Sequence, residues 1–300
     1  MSVSARLNKV YEASHEIPFD DSSKIILMSD CHRGDGGWGD NFLNNQNLFF
    51  AALSYYYKEN FTYIELGDGD ELWENRKIED IITIHSDAFW LMSRFYKIGR
   101  LYMLYGNHDM VKKYKGFVTS KLSSYFDENI KKKLPLFPRI NVTEGLILKY
   151  TVTGNKILLA HGHQGDFYNY TLWKLSRFMV RYFWRPLELL GVHDPTSASK
   201  NYSKKKNIEK KLIEWSVSQN RMLITGHTHR PVFPKIGEAL YFNDGCCIHP
   251  RCITGIEIDN GDITLVKWTI KTKKDRTLYV GRVILEGPVK LQDFFNPPVI

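Results

Sequence analysis

The chain has 300 residues, 43% of them hydrophobic, with a formal charge of +8, ample for one large α/β domain or two ordinary ones and a tilt toward anionic partners such as phosphate esters, nucleic acid or acidic headgroups. No run of about 18 apolar residues is present to span a bilayer and no apolar leader opens the chain, so a cytoplasmic address without a transmembrane segment is expected. Cys31, Cys246, Cys247 and Cys252 form neither a CxxC pair nor a spaced framework, which excludes a zinc finger and a disulfide scaffold and predicts reduced thiols.

Residues 1–23 read as an N-terminal extension and 24–300 as the main domain. Within it, five segments share one grammar, a short apolar run followed by an abrupt polar cluster: "KIILMSDCH" (24–32), "FTYIELGDGDE" (61–71), "RLYMLYGNHD" (100–109), "KILLAHGHQGD" (156–166) and "RMLITGHTHRPVF" (221–233). Continuous apolar runs are what strands covered on both faces look like. Helical patterns intervene at 41–57 and 77–97. A layered α/β core follows, and in such sheets ligands gather where strands end and loops begin, so the five clusters are expected to meet at one site.

The donors in those clusters are Asp30, His32, Asp68, Asn107, His161, His227 and His229, all oxygen or imidazole and none a thiolate. In extended chain, side chains two apart leave on the same side, so His227 and His229 can address one region of space. If Asp68 bridges two cations, seven residues give eight bonds, or four per ion, the stoichiometry of a dinuclear catalytic centre. A shared carboxylate offsets the repulsion between two divalent ions about 3.5–4 Å apart. Mixed N/O ligation favours Mn, Fe or Zn over Ca.

The set "SDCH", "GDGDE", "GNHD", "AHGH" and "GHTH", in this order over residues 24 to about 250, resembles the calcineurin-like metallophosphoesterase superfamily. The resemblance implies a four-layer β-sandwich flanked by helices, with two metals at the strand ends. It implies Asp30, His32, Asp68 and His229 on one metal, and Asp68, Asn107, His161 and His227 on the other. It also implies catalysis by a metal-bridged hydroxide, with His108 protonating the leaving group or steadying the phosphoryl oxygen and Asp109 orienting His108. His163 is expected to support the site or face the substrate, and Asp70 and Glu71 to orient neighbouring groups. Arg33, directly after the first motif, is a candidate for the substrate phosphate through its planar fork, with a surface salt bridge as the equal alternative.

A helical cap insert is expected at about 167–215. Its first part, 167–190, is dense in aromatics, and Lys174, Arg177, Arg181 and Arg185 recur at helical spacing as a basic stripe that Pro186 should end or kink. This is either an ordinary packed helix with a charged edge or a lid whose apolar face meets a lipid chain or membrane surface, with Arg177 and Arg181 contacting phosphate. The lid's placement resembles that of UDP-2,3-diacylglucosamine diphosphatases, although those enzymes carry arginine where this chain has His108. Beyond 235 the chain reads as strands with an Asn-Gly turn at 260–261, and additional strands are expected at about 271–300.

The expected function is a dinuclear metal-dependent phosphoesterase acting on a phosphodiester or pyrophosphate, nucleotide-linked or lipid-linked, with possible peripheral membrane contact. Two alternatives stand beside it: a nuclease using the same centre, marked by a basic aromatic groove and steep salt dependence, and a non-catalytic scaffold on the same fold.

Overall fold

Along each central strand successive side chains leave on opposite faces, and here the two faces have different destinations. The computed structural model describes residues 1–127, 130–184 and 202–296. A seven-stranded sheet has the order β14 (Leu278–Lys290), β13 (Asp262–Thr272), β12 (Cys252–Asp259), β2 (Ile25–Met28), β3 (Thr62–Glu65), β4 (Leu101–Leu104) and β7 (Val142–Thr143). A five-stranded sheet has the order β1 (His15–Phe19), β8 (Gly145–Tyr150), β9 (Lys156–Ala160), β10 (Met222–Thr225) and β11 (Tyr241–Asn243), and β5 (Ser124–Asp127) pairs with β6 (Lys132–Pro135) in a separate hairpin. The helices are α1 (Val3–Ala13), α2 (Gln46–Lys58), α3 (Ile78–Ile84), α4 (Ser86–Lys97), α5 (Lys115–Lys121), α6 (Phe167–Thr171), α7 (Trp173–Met179), α8 (Tyr202–Gln219) and a short C-terminal turn at Leu291–Phe295.

Leu27, Ile64 and Leu104 of the larger sheet meet Leu148, Leu159 and Ile224 of the smaller in the sandwich core. Their neighbours Ile26, Met28 and Tyr63 turn outward to Phe49 and Leu53 of α2 and to Met92 and Phe95 of α4. On the opposite side Leu158 and Leu223 meet Leu7 and Val10 of α1 and Ile208, Leu212 and Trp215 of α8. The result is the expected four layers, helix, sheet, sheet, helix. Strands β2, β3 and β4 are parallel to one another, as are β9, β10 and β11, so each set of three delivers its following loops to one edge of its sheet.

Several boundaries differ from the sequence reading. Residues 1–23 are no appendage: β1 pairs in parallel with β8 from His15↔Leu146 to Phe19↔Tyr150, and α1 lies on the same sheet. Pro18, which lacks an N–H, is accommodated because β1 is an edge strand. The helical pattern at 77–97 breaks into α3 and α4 at His85, which is buried with its Nε2 2.8 Å from Asp40. The second half of the expected cap, α8, is a core helix over the smaller sheet. Among the described residues the rest of the expected cap segment forms α6, α7 and a π-turn at Val180–Trp184. Arg185 and Pro186 lie outside the described residues. The Asn260-Gly261 turn joins β12 to β13 with both residues in the left-handed region, as a two-residue hairpin requires.

Candidate metal centre

Each motif sits immediately beyond a strand end: Asp30 and His32 after β2, Asp68 after β3, Asn107 and His108 after β4, His161 after β9, and His227 and His229 after β10. Five of these side chains hang from backbone in the left-handed region, with φ of 51° at Asp30, 46° at His32, 50° at Asp68, 69° at His227 and 54° at His229. Each such position costs a residue with a Cβ about 1–2 kcal/mol and persists only where the surroundings over-determine it. Here the loops are laced together. Asp30 N donates to Gly67 O at 3.1 Å, His32 N to Asp68 O at 2.9 Å and Gly226 N to His161 O at 3.0 Å, while His227 N donates to Asp30 Oδ2 at 2.8 Å.

The structure gathers the donors into two groups whose ligand atoms lie within 4.8 Å of one another: Asp30, His32 and His229, and Asp68, His161 and His227. Asp30 Oδ1 is 3.0 Å from His229 Nε2, and Asp68 Oδ2 is 3.0 Å from His161 Nε2. Neighbouring ligands each about 2.1 Å from one ion stand about 3 Å apart when they meet it at right angles, so the spacing suits a cation. Asp30 Oδ1, His32 Nε2, Asn107 Oδ1, His161 Nε2 and His227 Nε2 are buried and find no hydrogen-bond partner among the described residues, which would cost about 1–3 kcal/mol each unless something else satisfies them.

The opposite edges of the same groups are tied down. His161 Nδ1 lies 3.0 Å from Leu66 O and His32 Nδ1 lies 2.8 Å from Glu71 Oε2, which turns each Nε2 toward its group as the candidate ligand atom. Asp68 Oδ1 accepts from His108 N at 2.7 Å. Burial would push Asp30 and Asp68 up, but the surrounding imidazoles, His229 and His161 foremost, hold both well below the ordinary carboxylate range. The His161 imidazole responds in the opposite sense: burial pushes it down, Asp68 and Asp30 pull it up, and the outcome is about 9. His227 is held well below its usual value by burial and then by the charge of His161, and so presents a neutral imidazole. The pocket is built for positive charge between carboxylates.

The roles expected of Asp109, Arg33 and Arg181 are not what the structure shows. Asp109 does not touch His108. Its carboxylate accepts from Gly106 N at 2.7 Å and Gly69 N at 3.2 Å and is paired with Lys112. The carboxylate on His108 is Glu71, 2.8 Å from Nδ1, and the ring stacks on Trp73 with centroids 4.4 Å apart. Arg33 faces no substrate: it is fully buried, forked onto both oxygens of Glu65 and bonded to Asp70, because its side chain turns under the loop into the space between β3 and α4. His163 is enclosed behind His161 and His227 and beside Tyr170. Arg181 donates to the carbonyls of Leu72, Trp73 and Asn75, anchoring the cap to the second motif's loop. Arg177 is half-buried, its guanidinium 5.0 Å from the Trp173 ring centroid.

The sequence reading gave Glu71 an orienting role without its partners, which are the imidazoles of His32 and His108 from two other loops, and it missed Asp244 altogether. Asp244, after β11, has its Oδ1 2.7 Å from Ser29 Oγ, which in turn donates to Asp30 Oδ2 at 2.5 Å; its neighbours "FNDGCC" carry no motif. The cysteines are all free thiols, three of them buried.

A sequence model of the calcineurin-like phosphoesterase family matches residues 23–231. Among solved structures the chain is similar to Chaetomium thermophilum Vps29, with 10% identity, covering 88% of this chain and 97% of that one at a TM-score of 0.42. No curated protein matches the chain.

Proposed function

Because the chain belongs to the calcineurin-like phosphoesterase family, we propose that it is a phosphodiester or diphosphate hydrolase with two divalent cations, Mn, Fe or Zn. Asp30, His32, Asp68 and His229 would hold one, and Asp68, Asn107, His161 and His227 the other. When bound, such ions polarise phosphoryl oxygens and bring the pKa of water toward about 7. The observation that carries the reading is the convergence of buried ligand atoms without hydrogen-bond partners.

His108 handles the leaving group. Its Nδ1 is held by Glu71 and its ring by Trp73, while the side chain keeps 23% of its exposure, so Nε2 is the nitrogen presented outward. Burial lowers the His108 pKa, but Glu71 and Asp68 outweigh it and raise the pKa above its usual value, favouring the protonated acid. As the P–O bond breaks, the proton on Nε2 passes to the departing oxygen.

Phe167, Leu175, Phe178 and Phe183 on the cap are each about half exposed, with Lys174 among them. That surface favours a substrate with a hydrocarbon or aromatic part, lipid-linked or nucleotide-linked, over a nucleic-acid strand. The specific substrate of UDP-2,3-diacylglucosamine diphosphatases is not carried over, because His108 stands where that branch has arginine. Among the described residues no helix is long and apolar enough to cross a membrane; the half-exposed apolar side chains of the cap are the surface that would meet an acyl chain or a bilayer.

A panel of phosphoesters with added Mn²⁺ (bis-p-nitrophenyl phosphate, cyclic nucleotides, UDP-sugars, UDP-diacylglucosamine and single-stranded DNA) tests the assignment beside Asp68→Ala. Wild type hydrolyses at least one member and Asp68→Ala loses nearly all of that activity with its circular dichroism unchanged. Equal hydrolysis by both proteins contradicts the chemistry.

A further inference from the structure

Arg33, Asp70 and Asp109 leave the catalytic account with no part to play, yet all are fully or almost fully buried beneath the ligand loops, and so is Lys112 at 1% exposure. We propose that Arg33, Asp70 and Lys112 are positioning residues, a relay of ion pairs that fixes the ligand loops relative to one another, and that Lys112 governs the cation position served by Asn107. The inference rests on the dinuclear reading above.

The relay is continuous. Glu65, at the end of β3, receives Arg33 Nη1 and Nη2 at 2.8 and 3.0 Å. Arg33 Nε donates to Asp70 Oδ1 at 2.7 Å. The other oxygen of Asp70 is 2.6 Å from Lys112 Nζ, which also donates to Asp109 Oδ2 at 2.7 Å. Asp109 then accepts the amides of Gly106 and Gly69, the residues next to Asn107 and Asp68. Arg33 adjoins His32, so the relay crosses all three loops of the larger sheet.

Burying such charges is no general route to stability, since well-packed apolar groups often serve as well. Their distinct contribution is direction. A planar guanidinium fixes Asp70 relative to Glu65, and an ammonium between Asp70 and Asp109 fixes the third motif's loop relative to the second. Without Lys112 the carboxylate of Asp70 keeps only Arg33 and that of Asp109 only the amides of Gly106 and Gly69, and with no ammonium between them their repulsion opens the gap between the Asp68 and Asn107 loops. Asp30 and His229 lie outside that gap. Asp68 is shared, but the first position keeps its other three ligands undisturbed, so the loss falls mainly on the position that Asn107 serves.

Titration of metal-free protein with Mn²⁺, followed by calorimetry and electron paramagnetic resonance, reads this directly. Wild type takes two ions per chain and shows a spin-coupled pair. Lys112→Met keeps the first affinity and weakens the second by about tenfold or more, the scale seen when groups supporting a ligand are removed, giving an uncoupled six-line signal at two equivalents. Asp70→Asn removes one of the two facing carboxylates and its ion pairs but leaves Arg33 on Glu65 and Lys112 on Asp109, so it decides the matter if Lys112→Met does not fold; the tie between the second and third loops loosens without the repulsion, so the second ion weakens in the same sense but less than in Lys112→Met, and Lys112→Arg restores part of the coupling. Unchanged second affinity in the folded variants, or equal weakening of both positions, overturns the relay while leaving the hydrolase reading intact. A wild type that binds no pair of ions overturns both.

Discussion

Glu71 holds two imidazoles at once, His32 of the ligand set and His108 of the proposed acid, and so couples cation binding to proton transfer through one carboxylate. Glu71→Gln retains the size but offers one acceptor oxygen for two rings, and is expected to lower kcat and Mn²⁺ affinity by about 10–100-fold each; a change in neither, measured by steady-state kinetics and Mn²⁺ titration, contradicts this placement. His108→Ala tests the proton itself. Its kcat should fall about 10²–10⁴-fold on a substrate with an alkoxide leaving group and much less on a p-nitrophenyl ester, whose leaving oxygen needs no proton; equal losses on both contradict the acid role. The seven donors were legible because each lies at a short fixed offset from an apolar run. The orienting role of Glu71 was expected but its two partners were not legible, since they lie 39 and 37 residues away in the chain. Arg33 was misread for a related reason: adjacency to a ligand says nothing about whether a side chain turns toward the cleft or under the loop.

Strand ends and the turns that follow them are where sequence and structure agree best, and where the site is least tolerant. A Cβ on Gly106 would overlap Asp68 Oδ1, and one on Gly226 would overlap Ser29 Oγ and lie 2.5 Å from Asp30 Oδ2, so close approach between loops requires glycine at both. Gly106→Ala is expected to weaken Mn²⁺ binding by about tenfold or more while the circular dichroism spectrum persists; wild-type affinity contradicts the packing described. The cap offers a separate test. Replacing Leu175, Phe178 and Phe183 with serine should raise KM for a vesicle-borne or acylated phosphoester and leave bis-p-nitrophenyl phosphate unaffected; parallel changes on both would remove the cap from substrate selection. Helical periodicity located the cap's beginning but could not tell it from α8, whose Ile208, Leu212 and Trp215 bury against the sheet, because an apolar stripe looks the same whether it meets a core or a ligand.

Across the whole molecule, two sheets share one apolar core while each carries a helical layer, so every loop on which the site depends starts from a buried strand. Leu27, between the sheets and fully buried, is two residues before Ser29; Leu27→Ala should cost about 2–5 kcal/mol in denaturant unfolding, and a loss near zero would contradict its place in the core. The layered class was readable from five repeated strand-and-cluster segments. The place of residues 1–23 was not, since His15 finds its partner at Leu146 and the five residues of a pairing edge carry too little pattern to announce a partner so distant. The central claim is that scattered side chains cage two cations around Asp68. Anomalous diffraction at the manganese edge from Mn²⁺-loaded crystals tests it most directly: the account predicts two peaks about 3.5–4 Å apart with Asp68 between them, and a single peak, or peaks away from Asp30, Asn107 and the 227–229 pair, would contradict it.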